Sequence, residues 1–185
     1  METIINDALA VLKQGGVILY PSDTIPGIGC DATNEAAVTK VFEIKNRPDN
    51  KSLILLVSSD AMLQRYIAEV PEVAWDILDY ADKPTTIIYP NGKNLPKMCL
   101  AADGSIGIRI VKSGYLNKLI HNLGKPLVST SANFSDEPTP ITMEEIPRSL
   151  LDKVDFVVNL PSETNNKTSA IIKLEVNGEF KIIRK

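Results

Sequence analysis

Short apolar runs rich in Val and Ile recur along the chain, separated by segments whose apolar positions return every three or four residues. The runs at 15–21, 52–58, 84–90, 105–111, 126–131, 155–160, 169–175 and 180–184 are expected as strands. Several are apolar throughout rather than alternating, which suits a sheet covered on both faces. Helical spacing puts Ile5, Leu9 and Leu12 on one face over 2–14. It does the same for Ala37, Val38, Val41, Phe42 and Ile44 over 34–45. Further helices are expected over 61–68 with Asp60 as cap, and over 71–80 with Pro71 in the first turn and Trp75 and Leu78 inside. Two more fall over 114–122 and roughly 142–152, the last interrupted by Pro147. Asn177-Gly178 reads as the turn of a hairpin joining the final two strands. The alternation predicts an α/β fold with a mixed sheet. No repeat, low-complexity tract or dividing linker interrupts it, so one domain over 1–185 is expected.

Composition narrows the chemistry. Of 185 residues, 44% are hydrophobic and 23% charged, enough apolar material for a full core without a covalent staple. Cys30 and Cys99 are too few for a disulfide framework, and Cys30 reads as a small buried residue. The single histidine, His121, falls on a surface helix. These counts argue against a His/Cys metal cluster and a Ser-His-Asp triad. The N-terminal segment carries acids and no long apolar run, and no stretch approaches 18 apolar residues, so neither a signal peptide nor a membrane span is expected. A reducing, cytoplasmic setting fits. The formal net charge of −3 confines any nucleic-acid contact to a local patch.

Polar groups on this apolar frame gather at three places. In "FEIKNRPDNKSLILLVSS" (42–59), Lys45 ends a helix, and Pro48 turns the chain away at Arg47. Lys45 there would complement the helix dipole, but Arg47 and Lys51 lie past the helix end. The three cations read either as an anion site or as a solvated turn. "VSTSANFSDEPTP" (128–140) offers hydroxyl and amide donors after a strand, either for a phosphate or as an ordinary Ser/Asn turn. "LYPSDTIPGIGCDAT" (19–33) holds Gly27 and Gly29 but matches neither a P-loop nor a dinucleotide fingerprint. Within the strand "SIGIRIV", Arg109 is costly to bury unless paired, so it meets a ligand anion, pairs with one of the chain's own acids, or lies exposed on an edge.

Together "YPSDTIPGIGCDA", "KNRPDNKSLILLV", "GSIGIR" and "LVSTSANFSDEPTP" resemble the YrdC-like family in order and spacing, over nearly the whole chain. The resemblance implies an open, twisted mixed sheet flanked by helices, with a concave basic cavity. It implies synthesis of threonylcarbamoyl-AMP and pyrophosphate from ATP, L-threonine and bicarbonate, with Mg²⁺ arriving on ATP and no protein-held metal. The product would serve threonylcarbamoyladenosine formation at position 37 of tRNA through a separate transferase. It implies Lys45, Arg47, Ser131 and Asn133 as catalytic positions, and Lys51, Ser105, Ser129, Thr139 and Arg184 as nucleotide contacts. Thr24, Arg109 and Ser169 would hold threonine, with Arg109 on its carboxylate. The chain departs from the family pattern at Pro26, where an aromatic residue is usual, and at Asp136, Val111 and Lys173, where glycine, proline and an acid are common.

Two other readings use the same residues. One is a non-catalytic YrdC-like protein that holds double-stranded RNA or a nucleotide in the cavity, with Lys45, Arg47, Lys51, Arg109 and Arg184 as its cations. The other is carbamoyl transfer, as in hydrogenase-maturation relatives. Their zinc-finger and acylphosphatase-like segments have no counterpart in this sequence.

Overall fold

Helix α1 (Glu2–Lys13) forms where the spacing predicts it, burying Ile5, Ala8 and Leu12. Helix α2 (Glu35–Lys45) starts at Asn34, whose side-chain oxygen accepts from the Ala37 amide, and stops at Asn46 in the left-handed region (φ 49°). Its core-facing row is Ala37, Val38, Val41, Phe42 and, unexpectedly, Lys45. This computed structural model of the chain describes residues 1–46, 53–161 and 167–185.

The strands are β1 (Ile18–Tyr20), β2 (Gly27–Gly29), β3 (Ile54–Val57), β4 (Thr85–Tyr89), β5 (Ile106–Ile110), β6 (Leu127–Ser131), β7 (Phe156–Val157), β8 (Ala170–Leu174) and β9 (Phe180–Arg184). They form one sheet in the order β7-β1-β2-β6-β3-β5-β4-β8-β9. Its pairings are mixed: β3 runs parallel to β5, and β4 to β8, while β6 is antiparallel to both β2 and β3. Leu55, Leu56 and Val57 of β3 are all buried, as expected for a strand covered on both faces.

Helices α3 (Asp60–Leu63), α4 (Glu72–Tyr80), α5 (Gly114–Leu123) and α6 (Arg148–Leu151) complete the described elements, with 3₁₀ turns at 97–99 and 143–145. Exposed His121 lies on α5 as expected. Several boundaries differ from the sequence pattern. The helix expected over 61–68 ends at Leu63, and its cap is Ser59, not Asp60: the Ser59 hydroxyl accepts from the Met62 amide. Pro71 precedes the first turn of α4, with extended ψ of 140°. Pro147 splits the expected 142–152 helix into a 3₁₀ turn and α6, because its ring cannot continue a helix. The hairpin β8–β9 forms as predicted, with Gly178 at φ 84° in its turn. Among the described residues, no helix is long and apolar enough to cross a membrane.

β2 has no counterpart among the predicted strands. The segment Gly27-Ile28-Gly29 is extended because β1 and β6 pair with it on its two sides. A side chain at Gly29 would overlap the backbone oxygen of Val128, so only glycine permits this approach.

Strand register then lays out the floor of a cleft, because directly opposed residues share a face of the sheet. Gly27 opposes Ser131. Ser129 opposes Ile54, which opposes Gly107 on its other side. Arg109 opposes Thr86.

Candidate functional site

A cleft of about 270 Å³ opens over that floor. Thr24, Ile25, Pro26, Gly27, Leu53, Ile54, Thr86, Arg109, Ser129, Thr130, Ser131, Thr139, Thr168, Ser169 and Arg184 line it. Seven of these were singled out in the sequence: Thr24, Arg109, Ser129, Ser131, Thr139, Ser169 and Arg184. Lys45 and Asn133 stand behind one wall. Arg47 and Lys51 lie outside the described residues. Ser105 is buried but does not line the cleft: its hydroxyl donates to Asp103 Oδ1 at 2.5 Å and its amide to the same oxygen at 3.0 Å. Those two bonds, more than the nearby Lys173 ammonium, hold the Asp103 carboxyl down to about 2.

The first wall is the turn after β1. The Ser22 hydroxyl donates to the Ile25 carbonyl at 2.7 Å and accepts from the Thr24 amide at 3.0 Å and from the Thr24 hydroxyl at 2.9 Å. The Tyr115 hydroxyl of α5 donates to the Pro21 carbonyl, tying the start of the turn to the helical layer. Pro26, the departure noted in the sequence, lies directly on the cleft.

Opposite it, the loop after β6 is built around Lys45. The dipole reading of this lysine gives way to a different one. Its side chain turns inward, 2% exposed, and its ammonium donates to the carbonyls of Ser131 (2.5 Å) and Asn133 (2.7 Å) and to Asn133 Oδ1 (3.1 Å). A buried ammonium has three protons to place, and these acceptors meet that demand. Asn133 passes the constraint on: its Oδ1 accepts from the Ser131 hydroxyl at 2.6 Å, and its Nδ2 donates to the Glu137 carbonyl at 2.7 Å. The loop includes Asp136 at φ 68°, the position where glycine is common in the resembled family.

The third wall joins β4, β8 and β9. The Thr86 and Ser169 hydroxyls bond at 2.8 Å. Arg184 Nε donates to the Ser169 carbonyl at 2.8 Å and Nη2 to its hydroxyl at 3.3 Å. Burial first, then the neighbouring Arg109 charge, lowers the Arg184 pKa, though the group stays cationic at neutral pH.

Of the readings of Arg109 open from sequence, the structure shows the pair with one of the chain's own acids. Its guanidinium meets one of the chain's own acids, Asp23, with Nη1 2.8 Å from Oδ1, and Nη1 also donates to the Thr24 hydroxyl at 3.3 Å. Yet its Nε is buried and donates no hydrogen bond among the described residues. It still lines the cleft.

Sequence reasoning passed over Asp23, Thr86, Thr130 and Thr168. For Asp23 the available signal was an acid between two hydroxyl residues just past a strand. For Thr86 it was a hydroxyl within an apolar run. Neither signal is specific without the fold. No lining hydroxyl has a histidine beside it, since His121 is on the surface of α5. Cys30 and Cys99 are buried away from the cleft, and burial pushes both thiols up, Cys99 to about 12. Two guanidiniums and a ring of hydroxyls equip the cleft to hold and orient anions. Among the described residues, no cluster of His, Cys, Asp or Glu is arranged to hold a metal ion.

Known proteins are similar to this chain in sequence and fold. The family model Sua5/YciO/YrdC, described as "Telomere recombination", matches residues 10–185. A protein of Pseudoalteromonas translucida (strain TAC 125) named threonylcarbamoyl-AMP synthase is 34% identical over 181 residues, 96% of either chain. The crystal structure of P. abyssi Sua5 complexed with L-threonine superposes with a TM-score of 0.84 at 26% identity over 92% of this chain, which spans about half (50%) of that longer protein. The crystal structure of E. coli YciO superposes with a TM-score of 0.83 at 25% identity, covering 100% of this chain and 90% of YciO.

Proposed function

The chain belongs to the Sua5/YciO/YrdC family, and from that premise we propose that it is an L-threonylcarbamoyladenylate synthase. The threonine amine adds to bicarbonate with loss of water, giving a carbamate. A carbamate oxygen then attacks the α-phosphorus of ATP, the bond to the β-phosphate bridging oxygen breaks, and pyrophosphate leaves. Both reacting partners are anions, so the protein's task is positioning and neutralising charge rather than supplying a nucleophile. The observation that carries this reading is the meeting, in one cleft, of a buried Arg109 whose Nε has no hydrogen-bond partner among the described residues and the Ser129–Ser131 hydroxyl face beside Arg184. The relatives' names support a synthase over a non-catalytic RNA-binding role.

In this reading Arg109 takes the threonine carboxylate, with the Thr24 and Ser169 hydroxyls beside it. Ser129, Ser131, Thr139 and Arg184 face the nucleotide. Lys45 and Asn133 keep the phosphate loop in shape, while Arg47 and Lys51 add cationic charge, and Ser105 acts through the turn it forms with Asp103. The polar side chains lining the cleft are hydroxyls and guanidiniums rather than carboxylates, so Mg²⁺ enters on the ATP phosphates, where it offsets their charge. The adenylate serves a separate transferase that modifies position 37 of tRNA. A reaction that consumes ATP and serves tRNA suits a cytoplasmic setting.

The test is pyrophosphate release. It should require ATP, L-threonine and bicarbonate together, and fall by at least about tenfold in Arg109→Ala, the scale of one lost charge-assisted contact. Release that is indifferent to threonine, or absent while an RNA duplex binds with steep salt dependence, would sink the reading.

A further inference from the structure

We propose that Asp23 is a positioning residue that sets the orientation of Arg109 and thereby decides which edge of its guanidinium meets the substrate carboxylate. This rests on the reading above that Arg109 receives that carboxylate. A guanidinium has two edges suited to bidentate contact, and they are not equivalent. Nη1 lies on the side of Cδ, whereas Nε and Nη2 together form the side-on edge. Among the described residues the internal partners fall on Nη1: Asp23 Oδ1 at 2.8 Å and the Thr24 hydroxyl at 3.3 Å. Nε, at the other edge, is buried and donates to nothing among the described residues. The protein therefore grips the guanidinium by one corner and leaves a buried donor for an incoming oxygen.

The Asp23 contact has the character of an aimed charge rather than of a finished hydrogen bond. Its Oδ1 lies at ion-pair distance from Nη1, yet it is buried and accepts no aligned hydrogen bond among the described residues. The carboxylate is held in place by its setting. Ser22 braces the turn through the Thr24 amide and the Ile25 carbonyl, and Tyr115 anchors Pro21. Asp23 also offsets the Arg109 charge, which otherwise faces Arg184 across the cleft; the lowering of the Arg184 pKa reflects burial and then Arg109.

The isosteric variant Asp23→Asn removes the charge and keeps the shape. Its KM for L-threonine should rise about tenfold or more while its KM for ATP stays within about twofold, and Asp23→Glu should recover part of the loss. A general loss of folding would move both KM values or kcat alone. Either of those patterns overturns the proposal, as does an Asp23→Asn variant with unchanged threonine KM. A crystal structure of ligand-free Asp23→Asn gives an answer that does not depend on activity. The Arg109 guanidinium should leave its place beside Thr24; if it stays, Asp23 does not position it. Wild-type protein that releases no threonine-dependent pyrophosphate would count against the proposed reaction, while that crystal structure would still decide the role of Asp23.

Discussion

Lys45 Nζ donates to the carbonyl oxygen of Asn133 at 2.7 Å and to its side-chain oxygen at 3.1 Å, joining the end of one helix to a loop 88 residues away. The ammonium is buried and serves as the hub of the loop that walls the cleft. Lys45→Ala should therefore cost stability as well as turnover. The Ser131 and Asn133 carbonyls lose their buried donor, and Asn133 Oδ1 keeps only the Ser131 hydroxyl, so about 3 kcal/mol of unfolding free energy should disappear in urea titrations, and the KM for ATP should rise with it. Full stability with impaired turnover would mean that Lys45 acts only on substrate.

Gly29 has no room for a side chain, because a Cβ there would overlap the Val128 carbonyl oxygen across the β2–β6 pair. Gly29→Ala must push β2 off β6, at a cost of about 3 kcal/mol or more. Gly107→Ala meets only ordinary contacts, the nearest at 3.5 Å, and should unfold close to wild type in the same titration. Equal stability of the two variants would contradict the register of these strands.

Pro26 forms the cleft wall beside Thr24. If that wall reads the amino-acid side chain, Pro26→Tyr should change the threonine-to-serine ratio of kcat/KM by about threefold to tenfold, since one methyl group carries a preference of that order. The KM for ATP should not move. Parallel pyrophosphate assays with the two amino acids decide the point, and an unchanged ratio would assign specificity to other residues.

Asp103 is held down to about 2 by the Ser105 hydroxyl, then the Ser105 amide, with Lys173 adding to both. A carboxyl depressed in the folded state stabilises it above the ordinary carboxylate value of about 3.9 and loses that contribution as pH falls toward 2. Asp103 is 56% exposed, so solvent screening limits the effect to about 1 kcal/mol or less. Asp103→Asn should be less stable than wild type at pH 6 and approach it near pH 2. Urea unfolding at the two pH values checks this, and parallel pH curves would exclude Asp103 as the source.

The strands and helices were largely legible because burial leaves a local periodicity. Ile5 and Leu12 return at helical spacing, and Leu55, Leu56 and Val57 make a run that only a doubly covered strand explains. β2 was not legible: three residues with two glycines carry no pattern of their own, and their extended form comes from pairing with β1 and β6. Seven of the residues singled out by resemblance do line one cleft, yet their partners were hidden. Nothing near Arg109 in sequence points to Asp23, and nothing near Lys45 points to Asn133.

By itself, the sequence determined the α/β alternation, the hairpin at Gly178 and the short segments whose hydroxyls and cations carry the family resemblance, because each depends on a few neighbouring residues. The tertiary structure decided that Lys45 turns into the protein rather than toward the helix dipole. It also decided that Ser105 is committed to Asp103, and that Asp23 holds Arg109 by Nη1. Those outcomes belong to packing: a buried ammonium or guanidinium must find acceptors, and sheet register determines which distant residues supply them.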